Sequence, residues 1–282
     1  TLPHLDCDLL VIGSGAAGLA CAVTAAWHGL KVVVVEKDST FGGASAWSGG
    51  WMWVPGNPLA RRAGIHENPQ QPRTYLRHEL GEGYDAGRID AFLDNGPQMV
   101  AFFEQHTALQ FVDGNGIPDI HGQVPGAGIE GHQVIAAPYD ARAIGPLLAR
   151  LRRTLRETSF LGMPIMAGAD LGAFLSMTRS FKSLLHVGKR FVRHLRDLAL
   201  HGRAMHLVNG VALIGRLAKS AQDLGVNLLE SSPARSLLQD EQGVHGALVD
   251  TPQGPREIRA RRGVVLAAGG FAHDPVRRQA LF

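Results

Sequence analysis

A chain of 282 residues, 45% of them hydrophobic, carries enough apolar material for one large domain or two ordinary ones, and no stretch has the composition of a disordered tail. A formal net charge of only +3 is no footprint for nucleic acid, which is not expected as a partner. The two cysteines, Cys7 and Cys21, sit in apolar segments without CxxC or metal-ligand spacing; they read as free thiols in a reducing, cytoplasmic setting.

Residues 9–35 are almost all apolar, but they are not a membrane span. Gly13, Gly15, Gly18, His28, Gly29 and Lys31 interrupt the run; its ends are β-branched and its middle alanine-rich. The pattern predicts a buried strand at 8–12, a glycine loop, a helix at 19–27 and a second buried strand at 31–35, closed by Glu36. No basic segment precedes it, so it makes a poor signal peptide.

A loop rich in Gly, Ser and Trp follows at 37–58, then helical patterning at 72–80 and 88–106. The Gly/Pro-rich loop from Asp113 to Gly131 has a length usually reserved for function. A helix is predicted over 141–157. Phe181, Leu184, Leu185, Phe191, Leu195 and Leu198 form a helical stripe, with Lys182, Lys189, Arg190, Arg193 and Arg196 largely off it. Leu213, Leu217, Ala221 and Leu224 mark another helix face. Short strands are expected near 226–229, 234–239, 244–250, 256–260 and 264–267. The chain starts at Thr1 and stops at Phe282, directly after a strand and a glycine turn; it reads as one piece of a longer protein.

Gly13-Ser14-Gly15-Ala16-Ala17-Gly18 fits G-x-G-x-x-G, and its context gives it weight. It follows a strand, opens a helix and is followed about 20 residues on by an acid, Glu36. Gly13 allows the tight turn. Gly15 lets backbone approach a pyrophosphate at the helix N-terminus, and Gly18 lets helix and strand pack closely. Glu36 is expected to accept from both ribose hydroxyls of an adenosine, and its charge argues against a 2′-phosphate. After Glu36, Gly42-Gly43-Ala44-Ser45 and Ser48-Gly49-Gly50 give two paired-glycine turns beside hydroxylated residues. That favours a large ligand such as FAD over NAD, with Ser45 and Ser48 donating to phosphate or ribitol oxygens.

These runs, with Arg261-Arg262-Gly263-Val264-Val265-Leu266-Ala267-Ala268-Gly269-Gly270-Phe271, resemble the flavoprotein subunits of fumarate reductase and succinate dehydrogenase. More narrowly, they are similar to the 3-ketosteroid dehydrogenase branch, in which SGG precedes a short aromatic stretch and a proline, as in Ser48 to Pro55. The resemblance implies an α/β, Rossmann-like FAD domain: a parallel sheet, an antiparallel β-meander and helical insertions. Residues 1–58 and 206–282 would form the core and 59–205 a mainly helical insertion, with a substrate-covering domain after 282. It implies that the glycine loop and Ser14 hold the pyrophosphate. Glu36, with Lys37 beside it, would take the ribose, and Gly43, Ala44, Ser45, Ser48, Gly49 and Gly50 the flavin and ribitol side. Ala234 would meet the adenine, and Ala268 and Gly269 the closing turn. No histidine lies between Gly42 and Gly50, so FAD is expected to be noncovalent.

The implied activity is an FAD-dependent oxidoreductase moving hydride between flavin and a C–C bond beside a carbonyl or carboxylate. The substrate would be a small apolar carbonyl compound, with 3-ketosteroids a candidate class, and the electron acceptor is unspecified. The steroid branch carries a catalytic tyrosine in the Asp-centred loop. Here Ile120 follows Asp119, with His121 next, so the tyrosine is missing. His121, His132 and Tyr139 are weak candidates for proton transfer. No metal spacing is present and no metal is expected. The basic stretch 179–203 is read as a helix packed on the domain with a solvated basic face, with contact to an anionic membrane as the alternative. Two other readings of the whole chain stand: a flavin-binding fragment without catalysis, and an NAD-binding module.

Overall fold

Four consecutive valines, Val32–Val35, are all buried, and their alternating side chains feed two different cores. Val32 and Val34 join Val11 and Ala22 on one face; Val33 and Val35 join Cys7, Leu10 and Ile258 on the other. A strand buried on both faces belongs inside a parallel sheet, and this one does. The computed structural model describes residues 2–271 and 274–281. Its strands are β1 (His4–Ile12), β2 (Val32–Val35), β3 (Trp51–Trp53), β4 (Phe111–Asp113), β5 (Gln133–Ala136), β6 (Asn227–Leu229), β7 (Ala234–Asp240), β8 (Gly243–Thr251) and β9 (Gly254–Leu266). Two-residue bridges complete them. The main sheet runs β6-β2-β1-β9-β8-β7, parallel through β9 and antiparallel beyond it.

The helices are α1 (Ala16–Trp27), α2 (Pro58–Arg62), α3 (Gln70–Leu80), α4 (Ala86–His106), α5 (Ala169–Leu175), α6 (Phe181–His201), α7 (Asn209–Asp223) and α8 (Pro275–Leu281). The apolar run 9–35 is strand, helix and strand, and no described helix is long and apolar enough to cross a membrane. α7 is buried along most of its length and shares a core with Leu19, Phe41, Val134 and Ile144. Its Arg216 is half-buried and donates to the carbonyls of Ala108, Ala137 and Pro138 at 2.7, 2.9 and 2.8 Å. One guanidinium thus ties two loop segments to the helix, because a fork of donors can serve several carbonyls at once.

Two expectations are corrected here. The helix predicted over 141–157 is a pair of 3-10 turns at 141–150 that meet at a kink, followed by irregular chain and one further 3-10 turn at Arg156–Thr158. Gly145 has φ 62°, and Pro146 has no N–H with which to continue a helix. The strands expected at 256–260 and 264–267 are instead one strand, β9, continuous through Gly263. Its early residues pair with both β8 and β1, and its later residues with β1. The meander is therefore an extension of the parallel sheet rather than a layer beside it. Between residues 59 and 205 the helices are separated by 107–168, which holds short strands, turns and 3-10 segments.

Gly210, in the first turn of α7, shows how tightly this helix meets the loop before β3. A Cβ there would lie 1.9 Å from the Ser45 carbonyl oxygen. On helix propensity alone, Gly210→Ala would add about 1 kcal/mol. The clash is expected to reverse the sign and cost roughly 1–3 kcal/mol, read by equilibrium urea unfolding.

Candidate functional site

The carboxyl ends of β1, β2 and β9 lie side by side, and the glycine loop leaves β1 among them. Gly13 has φ 109°, and a Cβ on it would sit 2.3 Å from the Ala267 carbonyl oxygen. A Cβ on Gly18 would sit 2.0 Å from the Gly13 carbonyl oxygen. Both glycines are thus fixed by backbone crossing backbone. Gly15 differs: only Ser45 Oγ, at 3.4 Å, faces its missing Cβ. As the N-cap of α1 it brings no side-chain acceptor of its own, which leaves the helix N-terminus open to an anion.

The loop after β2 closes over this terminus. Gly42 and Gly43 have φ of 118° and 53°, and the Cβ position of Gly43 is 3.8 Å from the Gly15 Cα. Ser45 Oγ accepts from the Ala16 N–H at 3.1 Å. Accepting that bond leaves the hydroxyl proton of Ser45 for a ligand oxygen. Ala17, Ala44, Ala268 and Gly269, in the glycine loop, the turn after β2 and the turn after β9, are all exposed. The result is a cradle of small residues with a helix N-terminus at its base, which suits a pyrophosphate.

Glu36 is buried and highly connected. Its Oε2 accepts from Ser14 N–H at 3.1 Å and from Ser14 Oγ at 2.5 Å; its Oε1 accepts from Asp38 N–H at 3.0 Å. A carboxylate offers about four acceptor positions, so about one is left for a ribose hydroxyl, where the sequence reading gave it both. Ser14 supplies the other half of this contact. Its hydroxyl is fully buried, donates to Glu36 and accepts from Gly42 N–H at 3.1 Å. It braces the glycine loop against Glu36 and the Gly42 turn rather than facing the cradle.

Ser48 is likewise used within its own loop. It donates to the Ser45 carbonyl at 2.8 Å and accepts from Gly50 N–H at 3.1 Å. Gly50 has φ 74° and is pressed onto α7, with the Asn209 carbonyl carbon 2.6 Å from its Cβ position. Both residues shape the cradle from behind. Gly49 is exposed beside Trp51, and Lys37 is exposed past the end of β2. Ala234 opens β7 two residues after Ser232, whose N–H donates to the Glu36 carbonyl, so its backbone lies near the ribose acid. The sequence gave no sign of Arg152, which stacks over the Trp47 ring at 4.4 Å and pairs with Asp38. Burial opposes charge on Asp38, but the Thr40 N–H and Arg152 outweigh it and hold the carboxyl below its ordinary range.

The weak proton-transfer candidates are scattered. His121 is exposed and meets Glu79 at 2.7 Å. The Tyr139 ring lies under Arg216 at 4.5 Å and packs on the main core. His132 is 3% exposed at its side chain, held between Asp119, at 2.9 Å, and Glu67. Asp119 also accepts from Trp53 Nε1 at 2.6 Å and Gly128 N–H at 2.7 Å. This network grips the base of the Gly/Pro loop, whose tip shows Ile120 at 88% exposure. A cleft of about 530 Å³ between α2, α3 and α4 borders Glu67 and contains none of the glycine-loop residues.

The chain matches the family model described as "FAD binding domain" over residues 8–282. The chain belongs to this FAD-binding family. FAD is accordingly the cofactor, and the reading as an NAD-binding module is set aside. The 4-oxocyclohex-2-ene-1-carboxylate 5-dehydrogenase of Sinomonas cyclohexanicum is 36% identical over 99% of this chain and 47% of its own length. The 3-oxosteroid 1-dehydrogenase of Mycobacterium tuberculosis is 35% identical over 96% of this chain and 48% of its own. The crystal structure of 3-ketosteroid Δ1-dehydrogenase from Sterolibacterium denitrificans superposes with a TM-score of 0.88 at 29% identity, over 98% of this chain and 50% of that one. The chain spans about half the length of these relatives. The FAD domain thus has the Rossmann-like α/β fold that the resemblance implied.

Burial works against charge on His132, but its hydrogen bonds to the Glu67 and Asp119 carboxylates outweigh it and raise its pKa above the ordinary 6.5. A raised folded-state value means that its stabilisation is complete below the unfolded value and lost as pH rises through the folded one. The Tm gap between the wild type and His132→Gln is therefore expected to narrow as the pH rises above the ordinary histidine value of about 6.5. Asp119→Ala, which leaves His132 with Glu67 alone and strips the Trp53 Nε1 and Gly128 N–H donors of their acceptor, is expected to cost about 3 kcal/mol at neutral pH, read by chemical denaturation.

Proposed function

We propose that this chain is the FAD-holding half of a dehydrogenase that oxidises a CH–CH bond next to a carbonyl in a small, apolar, ring-bearing substrate. One observation supports the reading: the buried Glu36–Ser14 brace holds an open helix N-terminus beside a carboxylate with an acceptor position to spare, in a chain whose relatives are named dehydrogenases of cyclic oxo compounds. Gly15, Ala16, Ala17, Gly43 and Ser45 would hold the pyrophosphate, Glu36 a ribose hydroxyl and Ala234 the adenine. Ala44, Ala268 and Gly269 would border the ribitol and flavin. When bound, FAD supplies the hydride acceptor, and the protein's own part is orientation and electrostatics. The binding is noncovalent and the setting cytoplasmic in this proposal.

Ile120 stands at the tip of the Asp119 loop, where the steroid branch carries its tyrosine. Its side chain neither donates nor accepts a proton, so Δ1-dehydrogenation by that route is not part of the proposal. The exposed Ile120 offers an apolar contact in its place. Neither His121 nor Tyr139 lies at the cradle, and no catalytic role is assigned to them.

The expected result is a yellow protein whose flavin bands are released whole by denaturation. A colourless protein that binds NADH overturns the reading. Glu36→Gln removes a charge-assisted acceptor worth about 1.5–3 kcal/mol and is expected to weaken FAD roughly 10- to 100-fold, read by flavin fluorescence titration. Turnover of cyclic ketones and 3-ketosteroids with an artificial electron acceptor separates the dehydrogenase from a flavin-binding fragment without catalysis.

A further inference from the structure

Helix α6 is turned inside out. Its buried residues are His194 and Asp197, and Ser183, Arg190 and His186 make the polar contacts that hold it to α5 and its surroundings. His194 Nε2 meets the Leu161 carbonyl at 3.1 Å, and Asp197 accepts from Arg142 at 3.1 Å and Met205 N–H at 3.2 Å. The opposite face carries Phe181, Leu184, Leu185, Val192 and Leu195, with Phe181 82% and Val192 68% exposed. At 100° per residue these five fall within one sector of the helix, the arrangement that normally faces a core. Phe181, Leu184, Leu185 and Val192 line a shallow groove of about 820 Å³. Leu175, 77% exposed, stands at the end of α5 beside the start of α6.

We propose that α6 lies flat on an anionic lipid surface, its apolar face inserted among the acyl chains and its flanking cations on the headgroups. Charge decides between the possible occupants. Lys182, Lys189 and Arg196 are exposed along one edge of the apolar face, with Arg193 behind them. The helix has a single acid, Asp197, and it points inward. A symmetric contact with a second copy would set these cations against each other with no acid on the helix to answer them. A protein interface core tends to exclude lysine, whereas a helix at a membrane surface places Lys and Arg beside its apolar face. The side chains are long enough to keep their charges at headgroup level while their stems stay apolar. At 21 residues the helix is about 30 Å long, and it lies along the surface rather than across it, since no described helix is apolar enough to span. This inference does not depend on the substrate proposed above.

The test is flotation of the FAD-loaded chain with vesicles of phosphatidylcholine alone or mixed with phosphatidylglycerol. The expected result is flotation with the mixed vesicles and its loss at high salt. Lys189→Ala with Arg196→Ala is expected to weaken partitioning about 30-fold. Leu185→Asp with Val192→Asp is expected to abolish it, with flavin absorbance and far-UV circular dichroism unchanged. If the apolar variant misfolds, the charge variant still decides, because both of its positions are exposed. Absence of flotation by the wild type overturns the proposal. So does flotation that ignores both pairs of substitutions. A dimer in light scattering that the Asp variant dissolves, without flotation of the wild type, assigns the face to a second copy instead.

Discussion

Glu36 is where three stretches of chain are joined. Its N–H donates to Leu229, its carbonyl accepts from Ser232, and its carboxylate takes Ser14 and Asp38. A buried carboxylate is costly unless its lone pairs are met, and here most are met by the loops that must be held. The glycine loop, the turn after β2 and the segment leading into β7 are therefore positioned by one group's need for donors. The Ser14 hydroxyl passes the constraint on to Gly42. The shape of the cradle follows from that chain of bonds.

A second constraint is steric. Gly13 and Gly18 are held by carbonyl oxygens that leave no room for a Cβ, and Gly210 is held in the same way by Ser45. These contacts set the distance between β9 and the glycine loop, and between α7 and the loop before β3. Gly15 is spared such a contact, and it is the glycine at the mouth of the cradle. The loop thus divides its glycines between close packing and an open approach for a ligand.

Much of this was legible in the sequence, for physical reasons. Val32–Val35 read as a strand buried on both sides, and G-x-G-x-x-G followed by Glu36 read as a dinucleotide turn, because local pattern and tertiary role coincide there. That the Ser14 and Ser48 hydroxyls bond to neighbouring groups of the fold was not legible, because a hydroxyl in a glycine-rich loop looks the same whether it faces a ligand or its own backbone. The Glu67–His132–Asp119 cluster joins residues as far apart as 67 and 132, and nothing local marks Glu67 as a buried partner. The stripe on α6 was plain, but periodicity reports only that an apolar face exists. It was the inward hydrogen bonds of His194 and Asp197 that showed which way the face turns.

The shared strand β9 also governs how the fold is acquired. β1 pairs His4 with Glu257 and Ile12 with Leu266, so its second neighbour is made some 250 residues later. At roughly 5–20 residues per second of synthesis, β1 and β2 wait about 10 to 50 s for β9, and the other edge of the pair stays open almost as long, until β6 is made. Pairing so distant in sequence is slow to form, and the exposed edge and valine-rich faces are the kind of surface that associates wrongly in the meantime. Folding of this domain is thus set by its last strand, and its yield in a cell by how well the first two are shielded until that strand arrives.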